Sequence, residues 1–439
     1  MTTTLLRLRY TGKVAELSVE DRSGLMERST STDEAVSTTV TGILRDVRTR
    51  GDEALRELAR VHDRVELGAL EVPRSAWREA FAGTAPDVRR AMERAARHIE
   101  VAHAAWVPRA GRVEVAPGVV VGRRPDPLGR VGVYAPGGRA VYPSSVLMGA
   151  IPARVAGVGE VFVCSPPGPT GLPAAAVLAA AEIAGVDRVF ALGGAGAVAA
   201  MAFGTASVPR VDRIVGPGNA WVAEAKLQVA GAVSIDSPAG PSECLVIGAT
   251  RSEAVRIARE VVAQAEHDPR ACALAVVYGD GAEAQAVRVV GAIADLLVEA
   301  PRAEVIVESL ATRGGVLVAR DAEEALTFAA DYAPEHLVLA TADASALLPR
   351  VRNAGTVFVG ESSSNSFGDY LTGANHILPT GGLARSYSGL STLDFVRWTT
   401  WQEVTAVGAA SLAHDVAVFA EAEGLPGHAA AARAWEGVS

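Results

Sequence analysis

The chain has 439 residues, 49% of them hydrophobic and 21% charged, with a formal net charge of −9. That length exceeds one ordinary domain and predicts two to four folding units, and the composition describes a compact chain rather than a disordered one. The acidic balance, with no Lys/Arg block, argues against a nucleic-acid or anionic-membrane partner.

The N-terminal stretch "MTTTLLRLRYTGKV" lacks the apolar core of a secretory signal because Arg7 and Arg9 interrupt it, so the protein is expected to stay in the cytoplasm. From Thr32 to about Trp106 the pattern is helical. Val36, Val40, Ile43, Leu44 and Val47 fall at helical spacing, and Asp33 and Glu34 lie in the first turn, where the helix dipole favours anions. After Pro117 short apolar runs alternate with helical ones. "VGVYAP", "EVFVCSPP", "RVFALGG" and "DRIVGPG" read as strands bounded by Gly and Pro, and this repetition predicts a parallel sheet covered on both faces. The Ala-rich run "PAAAVLAAAEIAGV" is broken by Glu182, short of the roughly 20 residues a membrane span needs.

A second αβ run follows, with "CLVIG", "CALAVVYG", "GVLVAR", "HLVLA" and "GTVFVG" as strands. Two such units in tandem predict a ligand cleft between them. The segment "ESSSNSFGDYLTGANHILPTGG" is rich in Ser, Gly and Asn and too long for a simple connection, which marks it as functional. From about Ser391 the pattern is helical again, broken at Gly424, Pro426 and Gly427. Cys164, Cys244 and Cys272 lie in apolar runs without CxxC spacing and read as buried, reduced thiols.

The candidate chemistry centres on a few polar clusters. In "VVAQAEHDPRA" Gln264 and His267, three apart at a helix end, face one way, as a metal half-site, a substrate clamp or a solvated helix end. Four of the eight histidines stand in polar settings: His267, His336 in "APEHL", His376 in "GANHILPT" and His428 in "GLPGH". The others, His62, His98, His103 and His414, lie in helical patterns and read as surface or packing residues. Gln264, His267, Asp369 and His428 would supply the mixed nitrogen and oxygen ligands that zinc accepts, although local sequence holds only the first two together. Glu335 and His336 open a strand after Pro334. They read either as an acid/base pair at a cleft rim or as a solvated carboxylate beside a histidine satisfied by backbone. Gly194-x-Gly196-x-x-Ala199 resembles a dinucleotide fingerprint, without the acidic residue expected about twenty positions on; tight-turn geometry explains it, and the glycine turn in "GPGNAWVAEAK", as well as nucleotide binding does.

Taken together, "YAPGGRAVYPSSVLM", "GPGNAWVAEAK", "IDSPAGPSE", "QAEHDP", "APEHL", "GDYLTGANHILPTGG" and "AEGLPGH" resemble, in order and spacing, the histidinol dehydrogenases, over nearly the whole chain. The resemblance implies an α/β fold of two tandem Rossmann-like parallel-sheet domains with small helical terminal segments, in an intertwined homodimer. The expected division is 1–30 as an N-terminal segment, 31–133 with 247–386 as one αβ domain, 134–246 as the NAD-side domain, and 387–439 as a C-terminal segment reaching the partner. It implies zinc and NAD as cofactors and the oxidation of L-histidinol to L-histidine. Gln264, His267 and Asp369 match the zinc ligands of one subunit and His428 the ligand from the other. Glu335 and His336 match the catalytic pair, with His336 as base for the alcohol and Glu335 activating water. Ser242, His376 and Glu423 match substrate contacts, alongside Gln264, His267, His336, Asp369 and His428. Tyr134 and Asn219 match cofactor contacts, while Gly196 stands where the family usually has glutamine. Two rival readings are a related zinc and NAD dehydrogenase for another alcohol and a silent binding protein on the same fold.

Overall fold

The computed structural model describes residues 6–28, 34–137, 141–238 and 240–437. Thr32 and Asp33, expected at the start of the first long helix, lie outside the described residues, as do 138–140 and 239 within two of the quoted motifs. The described strands, in chain order, are β1 (Tyr10–Lys13), β2 (Gly111–Ala116), β3 (Val119–Pro127), β4 (Arg130–Tyr134), β5 (Glu160–Ser165), β6 (Arg188–Ala191), β7 (Arg213–Val215), β8 (Ser234–Ile235), β9 (Glu243–Ala249), β10 (Cys272–Tyr278), β11 (Gly315–Ala319), β12 (His336–Ala340), β13 (Thr356–Val359) and β14 (Val396–Val404).

They form two parallel sheets and one antiparallel sheet. The five-stranded sheet runs β6-β5-β4-β7-β8, and the six-stranded sheet runs β1-β11-β10-β9-β12-β13. Apart from β1, both follow the same winding, with the first strand of the unit in the middle, as in doubly wound dinucleotide folds. Every residue of β10 and β12 is buried, which is why these strands read as continuous apolar runs and not as alternating ones. β14, β3 and β2 make the antiparallel sheet.

Four features differ from the sequence expectation. Helices Glu34–Arg50, Arg74–Gly83 and Pro86–Ala105 share a core with the five-stranded sheet, through Val40, Leu44, Trp77 and Ile99 against Val131 and Val163. Residues 34–105 therefore pack with the five-stranded sheet and not with 247–386. An amphipathic stripe announces a covered face without saying which sheet covers it. The N-terminal segment is not simply helical either, because β1 extends the six-stranded sheet along β11. In the tail, Val396–Val404 is a strand, which its Val, Thr and Trp content favours. The sheets also set the unit edges: β4 begins at Arg130 and β9 at Glu243, each before the expected boundary.

Candidate functional site

Glu335 and His336 emerge where helix Ala322–Tyr332 ends and β12 begins. Ala333 there adopts a left-handed φ of 51°, uncommon for a residue with a side chain, and so turns the chain sharply into the cleft. Both residues are buried, at 5% and 4% exposure. Glu335 Oε2 accepts hydrogen bonds from Ser242 Oγ at 2.6 Å and from the Glu243 amide at 2.7 Å. His336 Nδ1 lies 2.9 Å from the Glu243 carbonyl, to which it can only donate, so Nε2 is the free nitrogen. Nε2 faces Asp369 Oδ1 at 3.6 Å. Burial alone would push this imidazole down, but the carboxylates of Glu335 and Asp369 hold it well above the usual histidine range.

Asp369 lies on the short helix Asn365–Tyr370, whose first amide is held by Glu260 Oε2 at 2.9 Å. Burial pushes the Asp369 carboxyl up, yet His336, with His376 and His267, outweighs it and keeps Asp369 below the usual carboxylate range. His376 follows on the irregular segment. Its Nδ1 lies 3.0 Å from the Asp369 carbonyl and its Nε2 3.5 Å from Ser145 Oγ. Burial holds His376 below the ordinary histidine value, so it is neutral near pH 7. Asn375 Nδ2 donates to the Met148 carbonyl and the Gly381 amide donates to Glu243 Oε1, so the segment is tied to both units.

These residues converge on a cavity of about 150 Å³, lined by Ser242, His267, Glu335, His336, Asp369 and His376. Gln264 does not line it; it lies on helix Ala254–Ala265, three residues before His267, 1% exposed, with its amide nitrogen lacking any hydrogen-bond partner. His267 Nδ1 contacts the carbonyls of Ala263 and Gln264, leaving Nε2 free. The amide oxygen of Gln264, the Nε2 of His267 and an ionised Asp369 carboxylate are ligand types that a divalent metal accepts. Among the described residues, however, no three His, Cys, Asp or Glu side chains are gathered closely enough to hold a metal ion. His428 and Glu423 are not brought to this cavity: both are exposed on the tail, Glu423 at the end of helix Ala406–Ala422 before the Gly424 break and His428 within helix Pro426–Arg433 after it.

A second cavity, of about 830 Å³, opens at the carboxyl ends of β4 to β6. Tyr134, Gly196 and Asn219 all line it. Helix Gly194–Phe203 starts there, with the Gly194 amide donating to Tyr134 Oη, and helix Ala220–Val229 starts there under an Asn219 cap. Two helix N-termini on one cavity favour an anionic ligand such as a pyrophosphate. A Cβ at Gly196 would stand 2.8 Å from Leu58 Cδ1, so Leu58 occupies the room a side chain would need.

Sequence reasoning missed several lining residues, among them Tyr142, Ser145, Asp236 and Thr380. Asp236 lay inside the quoted "IDSPAGPSE" and was not singled out. It pairs with buried Lys226 and accepts from the Gly216 amide, which fixes the glycine turn between the two cavities. The three cysteines are free and buried, and His103 is packed inside while His414 is exposed. No helix among the described residues is long and apolar enough to cross a membrane.

Comparison with known proteins gives a consistent answer. The family model described as "Histidinol dehydrogenase" matches residues 26–435. The histidinol dehydrogenase of Methanosarcina barkeri is 43% identical, covering 96% of this chain and 96% of its own. That of Natronomonas pharaonis is 48% identical, covering 95% and 97%. The crystal structure of histidinol dehydrogenase from Elizabethkingia anophelis matches with a TM-score of 0.91 at 32% identity, over 97% of each chain.

Proposed function

From the premise that the chain belongs to the histidinol dehydrogenase family, oxidoreductases of histidine biosynthesis, we propose that it oxidises L-histidinol through L-histidinaldehyde to L-histidine with two NAD in succession. The observation that carries the reading is the convergence of Ser242, His267, Glu335, His336, Asp369 and His376 on one small cavity. Gln264, His267 and Asp369 would hold zinc, with His428 of a second copy as the fourth ligand. Such a set needs only two His or Asp side chains from each chain's own cleft, in agreement with the absence of a fuller cluster among the described residues. Bound there, zinc supplies a fixed positive charge that orients the substrate's nitrogen atoms.

The proton work falls to the chain's own residues. His336 is locked by its Nδ1 bond to the Glu243 carbonyl, and the carboxylates beside it favour its protonated form. It would serve as base once Asp369 is claimed by zinc and Nε2 is left unprotonated, taking the alcohol proton while a bound NAD would accept the carbinol hydride. Glu335, anchored through Oε2 by Ser242 and the Glu243 amide, has Oε1 to draw a proton from water as it adds to the aldehyde. A second NAD would accept the hydride of the hydrate anion, leaving the carboxylic acid, which gives up its proton to solvent and departs as the carboxylate. His376, neutral and tethered to the Asp369 carbonyl, offers Nε2 as an acceptor for the substrate's polar groups, and Glu423 would join it from the partner's tail. The cofactor would occupy the 830 Å³ cavity, with its pyrophosphate toward Gly194 and its approach past Tyr134 and Asn219, while the bare backbone at Gly196 replaces a side-chain contact.

The tail supports a homodimer. Helices Ala406–Ala422 and Pro426–Arg433 pack on each other through Ala417, Ala420 and Ala429, while Val407, Phe419 and Trp435 stay exposed. Apolar residues left open on this arm are covered if it reaches a second copy. The substrate is a small molecule, and a cytoplasmic setting agrees with a biosynthetic enzyme. The decisive experiment is a substrate panel with NADH detection: L-histidinol should yield two NADH per molecule and the other alcohols far less. A preference for a different alcohol, or one NADH per histidinol, would overturn the assignment.

A further inference from the structure

Behind the catalytic pair lies an ion pair that the reaction as described does not use. Arg28, 5% exposed, donates from Nε to Glu243 Oε1 at 2.8 Å and from Nη2 to Oε2 at 3.1 Å. Its remaining donors reach the Leu25 carbonyl at 2.7 Å and the Tyr332 carbonyl at 2.6 Å, and its guanidinium lies 3.5 Å from the Tyr332 ring centroid. Glu243, 2% exposed, also accepts from the Gly381 amide at 2.8 Å. Its main chain is the piece that touches both reacting residues: the amide donates to Glu335 Oε2 and the carbonyl accepts from His336 Nδ1. The pair thus joins four segments at one point. They are the N-terminal helix Val19–Met26 with Leu25, the start of β9, the end of the helix that leads into Glu335–His336, and the loop that carries Thr380.

A fork-shaped cation satisfied by three acceptors holds a geometry that a point charge cannot. Buried ion pairs add little net stability, so their use is better sought in what they fix. We propose that Arg28 and Glu243 are positioning residues that hold Glu335 and His336 in their working orientation, and that the N-terminal segment is therefore part of the catalytic apparatus. The proposal rests on Glu335 and His336 being the reacting pair.

Arg28→Lys keeps the charge and loses the fork. It should remain folded by circular dichroism and bind zinc at the wild-type ratio. Its kcat should fall about tenfold or more while KM for histidinol stays within about threefold, the signature of lost transition-state alignment. Arg28→Met with Glu243→Gln removes both charges together, so it should fold even if Arg28→Lys does not, and it should show the same kcat-selective loss. Wild-type kcat in either folded variant, or a parallel loss of kcat, KM and zinc, would overturn the proposal and leave the pair a purely structural strut. A wild type that fails to oxidise histidinol would instead overturn the functional reading on which the proposal stands.

Discussion

His103 offers a quantitative test of how the fold supports the site. It lies on helix Pro86–Ala105, 0% exposed, with neither ring nitrogen hydrogen-bonded, and burial holds its pKa down to about 4. The unfolded chain titrates the same group near 6.5. A base whose folded pKa is depressed binds fewer protons in the folded state, so stability is full above pH 6.5 and is lost as pH falls toward 4. With those two values the loss between pH 7 and pH 5 is about 2 kcal/mol, since each pKa unit is worth about 1.4 kcal/mol. The same helix carries His98, whose Nδ1 contacts the Leu371 carbonyl, next to Asp369 and His376, so loosening it reaches the site. His103→Leu, similar in volume and unable to charge, should lose about 2 kcal/mol less than wild type over this range in paired urea titrations. It should also keep more activity after incubation at pH 5. Equal losses in the two proteins would refute the argument that a buried neutral His103 sets the acid limit.

Four further outcomes are expected. Co-expressed His267→Ala and His428→Ala chains, each nearly inactive alone, should regain roughly a quarter of normal activity, because about half the dimers are mixed and each has one intact site of two; purified mixed dimers with no gain would exclude the shared site. Glu335→Gln should slow oxidation of supplied histidinaldehyde more than the first hydride transfer, and His336→Asn should impair the alcohol step most, with equal losses in both mutants counting against divided roles. Gly216 has φ +116° and a Cβ there would stand 2.1 Å from the Tyr134 carbonyl oxygen, so Gly216→Ala should cost at least about 2 kcal/mol in urea unfolding, and an unchanged midpoint would show that the turn can relax. Chelation should remove one metal per chain and the activity with it, restored by zinc; full activity in protein shown to be metal-free would end the zinc assignment.

How legible this fold was depended on burial. The nine strands read from the sequence all lie in the two parallel sheets, where both faces are covered and apolar runs such as "VFVCS" and "LVIG" leave no ambiguity. The strands that escaped are β1, β2, β3, β8 and β14. β2 leaves Val113 and Val115 exposed, and β3 pairs Val119 with Val404, a partner some 285 positions away that no local pattern announces. The grouping of residues 34–105 failed for a related reason. Their apolar stripe is local, but the surface it covers, including helix Gly194–Phe203, is not.

The site divides along the same line. Residues with distinctive neighbours in sequence, such as Gln264 with His267 or Glu335 with His336, could be singled out because the chemistry and the chain coincide. Arg28 and Glu243 could not, since they meet across 215 positions and each sits in an ordinary setting. The architecture explains why so much of the site is distant. The five-stranded sheet presents the carboxyl ends of β4 and β7, with Tyr134 and Gly216, whereas the six-stranded sheet presents the amino ends of β9 and β12, with Ser242 and Glu335–His336. Ligands on doubly wound sheets ordinarily sit at carboxyl ends, where the loops after the strands are free to vary. On the second sheet the candidate residues instead enter their strands, and the strand register itself, His336 beside Cys244, sets the distance between Glu335 and the Glu243 amide. A reacting pair placed by sheet register would tolerate little movement, and Glu243, the first residue of β9, is itself held by Arg28 and the Gly381 amide.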